Sequence, residues 1–220
     1  MRGRIAVAGM ALMLALSVNM YAADFSTSVL AGYNGGLSFK ASANLSHFAQ
    51  GFPLGVEFGI GHSRMDPGRP ADARKVFIND ATNGTPDESG WAWDFRLDFL
   101  YQVRLMGMQN AHVFVGVRRS YFTGHFSFVG GNEIFDITTS LWGWGAGLKA
   151  VFPMGTRVGF TLAAGFDHYP AGTIDGHDTS YSPNGESVNG RDGYDYNSAD
   201  EAINQPKFEG VLMAGITISF

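Results

Sequence analysis

Several short groupings in this sequence combine residue types that could do acid–base or nucleophilic chemistry. His125-Phe126-Ser127 sets a base two positions from a hydroxyl. On a β-strand such residues share a face, so the imidazole could activate the serine. No suitably placed acid follows in the sequence to orient the histidine. Asp167-His168 and His62-Ser63 join an acid or a hydroxyl to a base, but adjacent strand residues point to opposite faces. His62-Ser63 is equally explained as polarity at a loop entrance. Asp192-Gly193-Tyr194-Asp195-Tyr196-Asn197 offers oxygen ligands for calcium without the spacing of a helix–loop–helix calcium site, and a solvated acidic loop accounts for it as well. The 220 residues contain no cysteine, which excludes a disulfide framework, a thiolate metal site and a cysteine nucleophile. These groupings assign no catalytic residue, no metal ligand and no cofactor. A larger set carries more information: Lys40, Glu57, Asp94, Arg96, Asp98, Arg104, Arg118, Lys149, Arg157, Asp167 and Glu209 are spread along the chain. Confined together, such charges form either a salt-bridge network or an ion-lined pore.

What would bring them together is a period of two. Trp91, Trp93, Phe95, Leu97, Phe99, Tyr101, Val103 and Leu105 alternate with positions that include Asp94, Arg96, Asp98, Gln102 and Arg104. The same alternation runs through Phe25 to Tyr33, Leu37 to Leu45 and Leu54 to Ile60. It returns around Val113 to Val117, Trp142 to Phe152, Val158 to Phe166 and Leu212 to Phe220. These segments predict eight strands. Short connections at 49–53, 106–110 and 153–155 alternate with the others, at 34–36, 63–90, 129–133 and 170–206, of which 63–90 is long and 170–206 very long. Short turns on one side and longer loops on the other is the pattern of an eight-stranded antiparallel up-and-down transmembrane β-barrel. An even strand number places both termini on the short-turn side.

Alternation alone does not say which face points inward. The apolar rows are about 8–10 residues long, enough for a tilted membrane crossing. Tyr33, Trp91, Trp93 and Tyr121 fall at the loop ends of those rows, and Phe25, Phe152 and Phe220 at the turn ends, as two aromatic belts require. The opposite face mixes many glycines and serines with both signs of charge. Inside eight strands there is room for side chains and little else, so small residues must make way for long ones. The apolar row therefore faces lipid and the charged row faces the lumen.

Residues 1–23 read as a signal peptide: Arg2 and Arg4, an apolar run from Ile5 to Val18, then Tyr21-Ala22-Ala23 before Asp24. The run is too short for a spanning helix. Its removal takes two arginines from a chain of net charge −5, so the mature chain of 24–220 is more acidic still. That acidity removes the electrostatic case for nucleic acid as a partner. At the other end Leu212, Ala214, Ile216 and Ile218 alternate up to a terminal Phe220. This ending resembles the assembly signal of bacterial outer-membrane barrels. Together with the leader and the eight strands, it makes the chain similar to the small outer-membrane barrels of the OmpW-, OmpA- and OmpX-like groups. The resemblance is architectural and carries over no internal motif.

The resemblance implies an outer-membrane location with periplasmic termini, lipid contact around the wall, and recognition of the last strand by the barrel-assembly machinery. It also implies two function classes. One is an OmpW-like channel or porin for small solutes, hydrophobic ones included, with Leu30, Leu100, Phe114, Val211 and Met213 as lumen-side apolar candidates. The other is a non-conducting structural barrel whose loops meet host ligands or antibodies as an adhesin or antigen. An enzyme is not expected. The His-x-Ser spacing is similar to that of outer-membrane lipid A deacylases but lies mid-chain rather than near the C-terminal strands. The 170–206 segment holds seven acidic residues against Arg191 and lacks an apolar core, so it is expected to be flexible, with Tyr181, Tyr194 and Tyr196 exposed.

Overall fold

The computed structural model describes residues 23–47, 53–105 and 108–220. The expected leader, apart from Ala23, lies outside them, as do parts of the turns at 49–53 and 106–110. In chain order the elements are β1 (Asp24–Asn34), β2 (Leu37–Ser46), β3 (Leu54–Met65), α1 (Pro70–Phe77), β4 (Thr85–Leu105), β5 (Met108–Val129), β6 (Glu133–Pro153) and β7 (Val158–His168). They continue with β8 (Ile174–Gly176), β9 (Thr179–Tyr181), β10 (Ser187–Val188), α2 (Tyr196–Ala202) and β11 (Phe208–Ser219).

Strands β1 to β7 pair antiparallel in chain order, and β11 pairs with both β7 and β1. That last pairing, Val29 opposite Ile216 and Ala31 opposite Ala214, closes an eight-stranded barrel. Because the ladders stay in register, apart from one irregularity between Val103 and Leu105 at the turn end of β4, the parity of each strand agrees with its neighbours and two continuous faces result. The outer face is apolar and bare, with Val29, Phe39, Phe58, Phe99, Val115, Trp142 and Leu212 all exposed. The inner face buries Ser28, Lys40, Glu57, Asp98, Arg118 and Thr217. Water would not tolerate such an outer surface, whereas hydrocarbon demands it. Closure gives each of the eight wall strands a partner on both sides, so within the wall of the described residues no strand is left as a sheet edge facing lipid.

The upper part of the molecule departs from the expected loops. β4, β5 and β6 run for 21, 22 and 21 residues, about twice what a tilted crossing needs, so their loop ends project beyond the membrane. The strand beginning at Trp91 on the sequence pattern in fact begins at Thr85. Against this projecting sheet the chain packs α1, α2 and the small β8–β9–β10 meander, which joins β6 through Ile137 opposite Gly176. Pro70 opens α1, where its fixed φ and missing N–H cost nothing. Asp195 caps α2 by accepting from the Ser198 backbone N–H at 2.9 Å.

The residues that bind the cap together are apolar. Ala73, Val76 and Phe77 of α1, Ala199 and Ala202 of α2, Phe122, Phe126 and Phe128 of β5, and Phe135 and Ile137 of β6 form one buried cluster with Ile174, Tyr181 and Ile203. Each buried phenylalanine contributes about 1.5–3 kcal/mol through burial, enough to order the segment. The expectation of a flexible 170–206 loop is therefore corrected. Its apolar residues are too few for a core of their own, and they complete one whose larger share comes from α1, β5 and β6. Tyr181 is likewise buried rather than exposed. Its hydroxyl donates to the Val76 carbonyl at 3.0 Å and accepts from the Arg191 backbone N–H at 3.0 Å. Tyr194 and Tyr196 pack partly against the same cluster.

Candidate functional site

The charged residues of the inner face meet in the lumen as two linked groups. Nearer the turn end, Glu57 on β3 accepts from Lys40 on β2 at 3.1 Å and from Lys149 on β6. Lys149 also donates to Ser28 Oγ at 3.3 Å, Ser28 shares a hydrogen bond with Thr217, and Thr217 shares another with Thr161. This belt crosses the barrel from β2 to β11 and ties together strands far apart in sequence.

The second group is built on one row of four residues. Asp98, Gly116, Gly145 and Asp167 stand opposite one another across β4, β5, β6 and β7. Arg118, the next inward residue on β5, lies over the two glycines and spans the two carboxylates. Its Nη1 donates to Asp98 at 2.7 Å and its Nε to Asp167 at 2.6 Å. Arg96 donates to the other oxygen of Asp167. The glycines are required for this. A Cβ on Gly145 would collide with Asp167 Oδ1 and Arg118 Nη2, and one on Gly116 with Asp98. Above the row, Asp94 accepts from the Tyr169 hydroxyl at 3.1 Å.

Eight of the eleven expected charges lie buried in this lumen: Lys40, Arg96, Arg118 and Lys149 against Glu57, Asp94, Asp98 and Asp167. The two signs balance at four each, which is what a low-dielectric interior needs, since an uncompensated buried charge is expensive and a paired, hydrogen-bonded one is tolerated. Arg118 and Asp167 have no solvent exposure at all. Below them the turn-end mouth opens into a vestibule of about 290 Å³, bordered by Asn44, Ser46, His47, Asn110 and His112 among others.

Three positions do not join the network. Arg104 and Arg157 are exposed at the turn end, the first beyond the buried layers of β4 and the second in the β6–β7 turn. Strand parity aims a side chain inward only where the wall continues on all sides, and there it has ended. Glu209 sits half-buried at the loop end beside Gly35 and is in none of the described ion pairs. Leu30, Leu100, Phe114, Val211 and Met213 are all buried, and Leu30, Val211 and Met213 pack together with Ala163. Tyr169 escaped the sequence reading because it follows the end of β7. Ser28, Thr161 and Thr217 carried the parity signal but no charge.

The small groupings also find their places. His125 Nδ1 lies 2.6 Å from Asp136 Oδ1 across β5 and β6, so an orienting acid exists after all. It comes from the neighbouring strand, which a reading along one segment does not reach. No described hydrogen bond joins His125 to Ser127. Asp167 points into the lumen while His168 faces out against Trp144, with ring centroids 5.9 Å apart. His62 packs edge-on to Trp93 at 4.7 Å, and Ser63 turns inward to Ser38 at 2.7 Å. Asp195 is occupied as the cap of α2.

Fold and lumen together define an eight-stranded transmembrane β-barrel whose interior is filled by a neutral ion network. That architecture is similar to a major outer membrane protein from Thermus thermophilus, at 22% identity over 91% of this chain and 100% of that one, with a TM-score of 0.72. The chain thus has the fold of a bacterial outer-membrane barrel. Neisserial surface protein A aligns at 12% identity over 90% of this chain and 96% of its own, with a TM-score of 0.38. Acinetobacter baumannii CarO aligns at 12% over 92% and 99%, with a TM-score of 0.41. Likenesses that loose carry no weight beside the first. No family model matches the chain, and no curated protein matches it.

Proposed function

We propose that the protein resides in a bacterial outer membrane as a non-conducting barrel that holds a folded cap at the cell surface. The observation that supports this reading is the lumen: four cations and four carboxylates, all buried, packed around a row whose glycines are already reduced to backbone. A pore for solutes needs a continuous wet path, and the residues that would line it are spent on one another. Asp24, near the start of the described residues, and Phe220 both border the vestibule, and the outward row Leu212, Ala214, Ile216, Ile218 and Phe220 is the face the resemblance offers to an assembly machinery. Surface contact with host ligands or antibodies then belongs to the cap, a shaped surface rather than a set of mobile loops.

Planar-bilayer recording of the purified protein tests the reading. The expected result is insertion without steady conductance. A large, steady conductance from the unaltered chain refutes it and restores the channel reading.

A further inference from the structure

We propose that the outer wall carries a binding site for the phosphate of an anionic lipid headgroup, centred on Arg119. This rests on the reading that the outer face meets lipid. Arg119 belongs to the outward row of β5, after Val113, Val115 and Val117 and before Tyr121. Its cross-strand neighbours are Phe95 on β4 and Trp142 on β6. A cation in such a row is costly at the bilayer midplane and nearly free at the interface, so its place beside the aromatic belt is the place where one is tolerated.

The guanidinium is held in a fixed position. It stacks over the Tyr121 and Trp142 rings at 5.0 Å each, and its two terminal nitrogens donate to Ser140, one to the carbonyl at 3.4 Å and one to Oγ. Yet its charge is unanswered: Arg119 takes part in none of the described ion pairs. On β4, β5 and β6 the nearest outward carboxylate is Asp136, six positions up β6 and roughly 20 Å away, and that one is engaged by His125. Stacking and two hydrogen bonds leave donors free for a planar, two-pronged grip on phosphate oxygens. Beneath the guanidinium runs the bare apolar surface of Val117, Val115, Leu97 and Phe99, a track for an acyl chain. A charged head above a greasy track fits an amphiphile, and fits inorganic phosphate only in its upper half.

The test uses the full mature chain in nonionic detergent, with phosphatidic acid, phosphatidylcholine of the same chains, and inorganic phosphate as probes, and with native mass spectrometry as readout. Phosphatidic acid is expected to remain bound to the protein, and Arg119→Gln to lower its retention about tenfold, the scale of one charge-assisted contact. Arg119→Lys should restore part of it. Equal retention by Arg119→Gln and the unaltered protein overturns the proposal, as does equal retention of phosphatidylcholine. Displacement of the lipid by millimolar inorganic phosphate reassigns the site to free phosphate and also overturns it. Retained heat-modifiable migration confirms that Arg119→Gln is folded. Flotation with neutral vesicles separates the premises: failure to float refutes the membrane reading, whereas flotation without headgroup preference refutes the phosphate site alone.

Discussion

Replacing Asp167 with asparagine removes one negative charge from the centre of the lumen while keeping its size. Asp167 has no solvent exposure and accepts from two guanidiniums, Arg118 Nε at 2.6 Å and Arg96 from the other side. After the change Arg118 keeps Asp98 at 2.7 Å, but Arg96 loses its described ion-pair partner and the buried set becomes four positive against three negative. Breaking a buried pair costs about 3–5 kcal/mol because a charge is left uncompensated. With a urea slope of about 2 kcal/mol per molar, that lowers the unfolding midpoint by roughly 2 M. The assay is equilibrium unfolding in detergent, followed by tryptophan fluorescence and by the migration difference between folded and boiled protein. The double variant Asp167→Asn/Arg96→Gln restores neutrality and should recover about half or more of the loss, since coupling in such networks runs to about 0.5–3 kcal/mol. A loss below about 1 kcal/mol for the single variant, or strict additivity in the double, would refute the idea that charge balance governs the lumen.

Other outcomes follow from the same geometry. Gly145→Ala should prevent a stable fold, because its Cβ meets Asp167, Arg118 and the Phe166 carbonyl; Gly155→Ala, with nothing within 4 Å, should be silent in the same migration assay. Tyr181→Phe should lower cap stability by about 1–2 kcal/mol through the lost hydroxyl contacts to Val76 and Arg191, read as faster hydrogen exchange of 170–206 with the barrel unchanged. Glu133 is held below the ordinary carboxylate range, chiefly by the hydrogen bond from Arg74 and further by that from Asn79. Its contribution is therefore complete above the ordinary carboxylate pKa and is lost as pH falls through the depressed value. Limited proteolysis of the cap should accelerate on acidification, and Glu133→Gln should flatten that dependence.

The barrel wall was legible in the sequence because its signal is local. Each strand announces itself by alternation, and charged residues at alternate positions, such as Asp94, Arg96 and Asp98, can share a lumen only if the apolar row faces lipid. The network was legible as a list and not as a graph. That Arg118 bridges Asp98 and Asp167 depends on β4, β5, β6 and β7 standing in one register, which pairing fixes and spacing along the chain does not. Arg104 and Arg157 share the parity or neighbourhood of lumen residues, yet they lie where the wall stops. The cap was missed for a different reason. Its helices carried signals, Pro70 at a first position and Asp195 three residues before Ser198, but most of the apolar cluster that α2 joins sits on β5, β6 and α1. Composition within 170–206 could not reveal a core assembled from elsewhere.

The inward face of β5 has a consequence of its own. Read upward it passes Phe114, Gly116, Arg118 and Ser120, then Phe122, Gly124, Phe126 and Phe128, so its chemistry changes with height. Alternation cannot distinguish a strand from the same strand slid by two residues, since inside stays inside. This face can. A two-residue slip would drive Phe122 toward the ion layer or lift Arg118 toward the apolar cluster, and either places the wrong group in the wrong medium. The vertical order of polar and apolar thus acts as a ruler that sets the stagger of the barrel, a quantity that period two leaves free.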